Sequence, residues 1–197
     1  MAVKKSEIKS PEELREDILE ATIKVFNRKG LKFTMDDIAT ELSISKKTIY
    51  KVFDDKESMF LCMVDYCFDK IYEQKRIVLE DKSLSITDKI RGVLAVLPDG
   101  YRDVDFGKLY VLKDKFPKIY NKVEQRLESG WEGVLELIER GIAEGVIRPI
   151  NIHIVKTMME ATLEQFFQRD VLVTNNISYN DALNEVVDIL VDGIIKK

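Results

Sequence analysis

The stretch MDDIATELSISKKTIYKVF, residues 35–53, decides the fold. Apolar side chains at Met35, Ile38, Ala39 and Leu42 keep the spacing of one helical face, and Ile49, Val52 and Phe53 keep it again after a break. Two short helices cross steeply only where the first presents a small residue at the crossing and the turn tucks an apolar side chain beneath them. Ala39 and Ile44 are those residues. The spacing predicts a helix-turn-helix whose second helix enters the major groove of DNA. Ser43 stands at the turn position where glycine is favoured. The competing reading of the same frame is an αα-corner with no nucleic-acid role.

The outward residues of the second helix favour the DNA reading. The helical period leaves Lys46, Lys47, Thr48, Tyr50 and Lys51 facing solvent, residue types suited to phosphate and base-edge contacts. Lys56 adds charge at the start of the next helix, an end that itself attracts phosphate. The charge distribution agrees. The chain carries −4 overall, yet from Lys24 to Lys56 eight basic residues stand against five acidic ones, a net +3 that leaves −7 for the other 164 residues. Such asymmetry fits one segment meeting a polyanion, although a solvated helix face produces a similar local excess.

Helix signals surround this core. Ser10-Pro11-Glu12-Glu13 offers an N-cap, a proline at the first helical position and a glutamate placed for a capping box. A stripe follows at Leu14, Ile18, Ala21, Thr22, Val25 and Phe26, and Gly30 ends it. Thr34-Met35-Asp36-Asp37 caps the second helix, Ser45 opens the third, and Asp54 with Glu57 makes a capping-box pattern for a fourth through Met59, Phe60, Met63 and Val64.

These residues carry a family resemblance. Thr34-Met35-Asp36-Asp37-Ile38-Ala39, followed by Ile44-Ser45-Lys46-Lys47-Thr48-Ile49-Tyr50-Lys51-Val52-Phe53-Asp54-Asp55-Lys56-Glu57, resembles the N-terminal DNA-binding domain of TetR-family transcriptional regulators. The resemblance is detailed over about a quarter of the chain and extends further by length and helical pattern only. It implies that Thr34 caps the second helix and touches phosphate, that Ser45, Lys46, Lys47 and Thr48 read or flank bases, and that Tyr50 and Lys56 bind the DNA backbone. Lys51 joins the set as an outward cation. Val52 departs from the histidine or tyrosine frequent at its position, so no phosphate contact is assigned to it.

Beyond Ser85 the pattern is helical throughout. One segment starts at Ser85 and Asp88, runs through Ile90, Val93, Leu94 and Leu97, and breaks at Pro98-Asp99-Gly100. A second runs from Pro117 through Trp131 to Ile142 and closes near Gly145. The phrase Glu144-Gly145-Val146-Ile147-Arg148-Pro149 reads as a turn and is similar to the one preceding the last two helices in TetR-family regulators. Those helices span Asn151 to about Leu172 and Ser178 to about Ile195, divided by Thr174-Asn175-Asn176. Their small and apolar residues at helical spacing suit either a monomer core or a paired face, and the resemblance implies a four-helix homodimer interface. It also implies a pocket for a small-molecule effector, with Tyr66, Tyr110, Phe116, Trp131, Met158 and Phe166 as lining candidates. Each of these also sits where a core residue is expected.

Other function classes find little support. The sequence has no glycine-rich phosphate loop, no nucleophile elbow and no metal-ligand cluster, and its single histidine, His153, lacks a partner at ligand spacing. No enzymatic activity, cofactor or metal is expected. Cys62 and Cys67, five apart, suit neither a disulfide nor a zinc site and read as packing residues. No apolar run serves as a signal sequence or membrane span, so a cytoplasmic location with no membrane partner is expected.

The expected architecture is all-α. A three-helix DNA-binding head with a helix-turn-helix occupies residues 1–54, and a larger helical effector-binding and dimerisation domain occupies residues 55–197. The expected function is a ligand-responsive transcriptional regulator, a repressor, that binds a palindromic double-stranded DNA operator as a homodimer. The alternative is a protein of the same fold acting mainly through protein partners, which has no need of the exposed Lys46, Lys47, Tyr50 and Lys51.

Overall fold

The computed structural model describes residues 10–98 and 112–196. Every regular element among them is helical, apart from a lone antiparallel bridge between Ile147 and Ile195. The all-α expectation is met. The chain divides into two compact units, Met1–Met63 and Val64–Lys197.

The first unit holds α1 (Pro11–Lys29), α2 (Met35–Leu42), α3 (Lys46–Ile49) and the start of α4 (Lys56–Glu80). The starts of α1, α2 and α3 are those the sequence predicts. Ser10 Oγ accepts from the Glu13 N–H at 3.1 Å while the Glu13 carboxylate accepts from the Ser10 N–H at 2.7 Å, with Pro11 behind the cap. α1 buries more than the single stripe expected of it. Leu19 and Ile23 are enclosed with Ile18, Val25 and Phe26, and the fully buried Thr22 hydroxyl donates to the Ile18 carbonyl at 2.6 Å. Phe26, Phe33 and Phe60 meet with ring centroids 5.5–6.4 Å apart. Each such contact contributes about 0.5–1.5 kcal/mol beyond area burial, which anchors the segment that carries the chain into α2.

One cap differs from expectation. α4 is capped by Asp55, not by Asp54 with Glu57: the Asp55 carboxylate accepts from the Ser58 N–H at 2.7 Å and Ser58 Oγ accepts from the Asp55 N–H at 3.2 Å. Both aspartates offer the same acceptor, and Ser58 rather than Glu57 returns the reciprocal bond. Cys62 and Cys67 form no disulfide among the described residues and are half-buried rather than enclosed, and the Arg15 guanidinium donates to Cys62 Sγ at 2.9 Å.

The second unit continues with the remainder of α4, α5 (Ile86–Ala95), α6 (Leu112–Lys115), α7 (Pro117–Leu127), α8 (Glu132–Ala143), α9 (Ile152–Gln168), α10 (Val171–Thr174) and α11 (Tyr179–Ile194). Ile90, Val93, Val134, Ile138, Met159, Val187 and Val191 form the centre of its core. The single helix expected from Pro117 to Ile142 is two. Leu127, Trp131 and Val134 preserve the apolar period across the break, which hid it. Gly130 there has φ +74°, and a Cβ on it would lie 2.6 Å from Tyr72 Cε1. The Tyr72 hydroxyl donates to the Arg126 carbonyl at 2.8 Å and lies 2.7 Å from Ser129 Oγ, so α4 wedges into the interruption.

The next helix also ends early, at Gln168 rather than near Leu172. Leu172 belongs to the short α10 and packs with Phe166 and Ala182 in a satellite cluster. The turn before α9 is stitched to the end of α11: the Arg148 N–H donates to the Ile194 carbonyl and the Lys196 N–H to the Val146 carbonyl, both at 2.9 Å. Arg91 on α5 pairs with both Asp188 and Asp192 on α11. No helix among the described residues is long and apolar enough to cross a membrane.

Candidate nucleic-acid interface

Backbone geometry sets the relation of α2 to α3. Thr34 Oγ1 accepts from the Asp37 N–H at 3.2 Å, and the Asp37 carboxylate accepts from the Thr34 N–H at 2.9 Å. The Lys29 ammonium, 2.6 Å away, and the two Thr34 hydrogen bonds together hold the Asp37 pKa down to about 2. Arg28 pairs with Glu41 as a second tie from α1 to α2. At the other end of α2, Ser43 adopts the left-handed conformation (φ 54°, ψ 39°), and the Ile44 N–H donates to the Ala39 carbonyl at 3.0 Å. That turn starts α3 at Ser45, whose Oγ accepts from the Thr48 N–H at 3.1 Å and lies 2.8 Å from the Thr48 hydroxyl.

α3 itself is a single turn of helix continued by turns at Tyr50 and Lys51, with Ile49 and Phe53 buried beneath it. The residues expected to meet DNA fall into two groups. Lys47 and Lys51 are exposed, with no acid paired to either among the described residues, and Tyr50 is 46% exposed. Ser45 and Thr48 hold each other's hydroxyls. Lys46 is engaged: its ammonium lies 2.8 Å from the Asp36 carboxylate on α2, a bond that raises its pKa.

Lys56 is engaged more deeply. Its ammonium donates to the carbonyls of Leu31 at 2.9 Å and Phe33 at 2.5 Å, and sits 4.0 Å from the centroid of the Phe33 ring. Burial pulls its pKa below the usual lysine value. One of its three N–H groups remains for another acceptor. Sequence reading missed Asp36 as the anchor of Lys46. Ten residues separate the two on different helices, so neither helix's periodicity signals the pair.

The candidate effector residues do not come together. Tyr110 lies outside the described residues. Trp131 is buried in the core of the second unit and its Nε1 donates to the Leu127 carbonyl at 3.0 Å. Phe166 stacks edge-on against Tyr179 in the satellite cluster, Phe116 precedes α7, and Tyr66 is half-buried on α4 beneath the Lys70 ammonium. Met158 alone of these lines the open groove of about 530 Å³ between α9 and α11, with Ile154, Ile189 and Gly193. Ile154, Met158 and Ile189 are 56%, 54% and 68% exposed. This is the small and apolar face seen in the sequence, and in the single chain it stands uncovered. His153 is exposed at the start of α9.

Residues 18–63 match the family model of bacterial regulatory proteins of the tetR family. The chain is 26% identical over 177 residues to the uncharacterized HTH-type transcriptional regulator YvaF of Bacillus subtilis (strain 168), an overlap that covers 90% of this chain and 93% of that protein. Among solved structures, its fold is similar to a TetR transcription regulator from Haloarcula marismortui ATCC 43049 (TM-score 0.71, 16% identity, 94% of this chain and 100% of that one). It is also similar to the transcriptional regulator FadR from Bacillus subtilis in complex with stearoyl-CoA (TM-score 0.62, 18% identity, 91% and 98% covered).

Proposed function

Because the chain belongs to the tetR family of bacterial regulatory proteins, whose members bind DNA to regulate transcription, we propose that it is a ligand-responsive repressor acting on a palindromic operator as a homodimer. Residues 1–54 are the DNA-binding domain and residues 55–197 the effector-binding and dimerisation domain. The observation that carries the reading is the exposed face of α3, where Lys47, Tyr50 and Lys51 stand clear of any acid partner among the described residues beside a fixed turn.

Lys47, with Ser45, Lys46 and Thr48, reads or flanks bases; Tyr50, Lys51 and the remaining N–H of Lys56 hold phosphates, and Thr34 does so at the start of α2. One such helix spans too few bases for useful specificity. A two-fold dimer built on the uncovered α9–α11 face reads two half-sites along one side of the duplex. A ligand held by the larger domain lowers operator affinity by favouring a spacing of the heads that no longer matches successive major grooves, a coupling of typically ~1–3 kcal/mol.

Selection of genomic fragments by the purified protein, followed by footprinting, tests the reading. The expected result is a compact palindromic footprint. Lys47→Ala shifts the preferred sequence, and Tyr50→Phe weakens binding across all sites without changing preference. Absence of any selected site for folded, dimeric protein across a range of salt sinks it in favour of a protein-partner role.

A further inference from the structure

Lys56, Lys75 and Lys89 are each drawn at least partly out of water, and they differ in what meets them. Lys56 donates to two backbone carbonyls, and Lys89 on α5 donates to the Leu79 carbonyl at 2.5 Å. Lys75 on α4 has no such bond. Among the described residues no carbonyl, hydroxyl or carboxylate is paired with its ammonium. Its neighbours are the rings of Trp131 and Tyr72, with centroids 5.6 and 5.8 Å away. Those distances lie at the outer reach of a cation–π contact, about 6 Å, so the rings leave its three N–H groups unmet. Burial, with no carboxylate to oppose it, pulls the Lys75 pKa below the ordinary lysine range.

The surroundings are built, and their other charges are accounted for. Tyr72 is seated by the missing side chain of Gly130, and Trp131 by its bond to Leu127. Arg126 lies over the Tyr72 ring at 4.9 Å and the Phe68 ring at 5.5 Å. Its two terminal nitrogens reach Asp65 and Asp69, and Lys122 also pairs with Asp65, so two cations meet two carboxylates there. Among the described residues two donors remain beside these rings: the ammonium of Lys75 and Arg126 Nε, which is buried with no acceptor among them. Lys75 is half-buried, and a cation drawn partly out of water with no counter-charge among the described residues is costly; an anion supplied from outside removes that cost.

We propose that the effector is an organic carboxylic acid with an apolar body, whose carboxylate pairs with Lys75 while its body lies against Tyr72 and Trp131. The inference rests on the ligand-responsive reading above and gives that ligand its chemical class.

Trp131 is the only tryptophan in the chain, so its fluorescence reports this site directly. The full-length protein is titrated with octanoate, dodecanoate, benzoate and phenylacetate, each beside its uncharged primary amide and, for the alkyl chains, the matching alkyltrimethylammonium. At least one acid is expected to change Trp131 emission saturably, with affinity on the order of tenfold or more above its amide. Lys75→Met abolishes that preference and Lys75→Arg keeps it. Lys75→Met is also expected to raise the melting temperature of the ligand-free protein, because it removes an unmet charge, whereas a lysine serving only the fold would lower it.

The proposal is overturned if no acid outranks its amide, if the alkylammonium binds in place of the acid, or if the preference survives in Lys75→Met. Operator binding is measured in the same samples. An acid that binds through Lys75 yet leaves operator affinity unchanged upholds this site and defeats the ligand-responsive reading instead.

Discussion

Lys46 on α3 and Asp36 on α2 form an ion pair at 2.8 Å that joins the two helices of the helix-turn-helix. A cation expected to meet DNA is therefore held by an acid of its own chain. Phosphate must displace Asp36 to reach it, and the same carboxylate repels the backbone of a poorly fitted duplex. In Asp36→Asn, Lys46 is released. Nonspecific DNA is expected to bind more tightly, the log-log salt slope to steepen by about 1 per half-site, and discrimination between operator and random duplex to fall. Titrations by fluorescence anisotropy at several salt concentrations check this. Unchanged slope and discrimination would mean that the pair does not compete with DNA.

Ser43 is held at φ 54°, a conformation that costs a non-glycine residue roughly 1–2 kcal/mol. Ser43→Gly relieves that cost but gives part of the gain back through the greater entropy of the unfolded chain. A net gain of about 0.5–1 kcal/mol is expected, read as a higher urea midpoint with an unchanged slope. A loss of stability would show that the serine makes a compensating interaction.

Asp37 is expected to contribute to the acid sensitivity of the head. Its folded pKa, about 2, lies below the ordinary aspartate value of 3.8, so its contribution is fully present above pH 3.8 and is lost as pH falls toward 2. In Asp37→Asn the Lys29 and Thr34 contacts no longer depend on a titrating group. Helical circular dichroism followed from pH 5 to pH 2 is expected to show a shallower decline in the variant's stability over that window. Parallel curves would assign the acid sensitivity elsewhere.

Ile189, 68% exposed on α11, tests the proposed dimer face. Ile189→Asp costs a single chain little, because the side chain already meets water. Buried in a two-fold interface the new carboxylate would lie near its own symmetry mate, a penalty of about 3 kcal/mol or more, on the order of 100-fold in self-association. Analytical ultracentrifugation is expected to find folded monomer with weakened operator binding. A variant that remains dimeric moves the interface off this face.

The head was legible because its signals are local. Ser10 with Glu13, Thr34 with Asp37, and Ser45 with Thr48 are three-residue relationships that any reading of helix starts finds. What escaped was set by distant residues. The interruption after Leu127 is made by Tyr72, more than fifty positions earlier, entering where Gly130 has no side chain, and no local pattern announces such a wedge. Of the effector candidates, Trp131 and Phe166 are buried, and residue type alone does not separate a core side chain from one that also forms a pocket wall. Lys75 was passed over because a lysine on an otherwise ordinary helix looks solvated until its surroundings are known.

The ties between α5 and α11, made by Arg91 with Asp188 and Asp192, join residues about a hundred positions apart. The core of the second unit likewise needs Leu183–Ile194 packed against Ile86–Leu97. On a translating ribosome, the first unit has its whole core by Met63, while the second waits for α11. At roughly 5–20 residues per second that is an interval of several to some tens of seconds. A nascent chain thus carries a finished first unit, with the face proposed to read DNA, before the face proposed to pair two chains has been synthesised, and any pairing through α9 and α11 falls after α11 is complete.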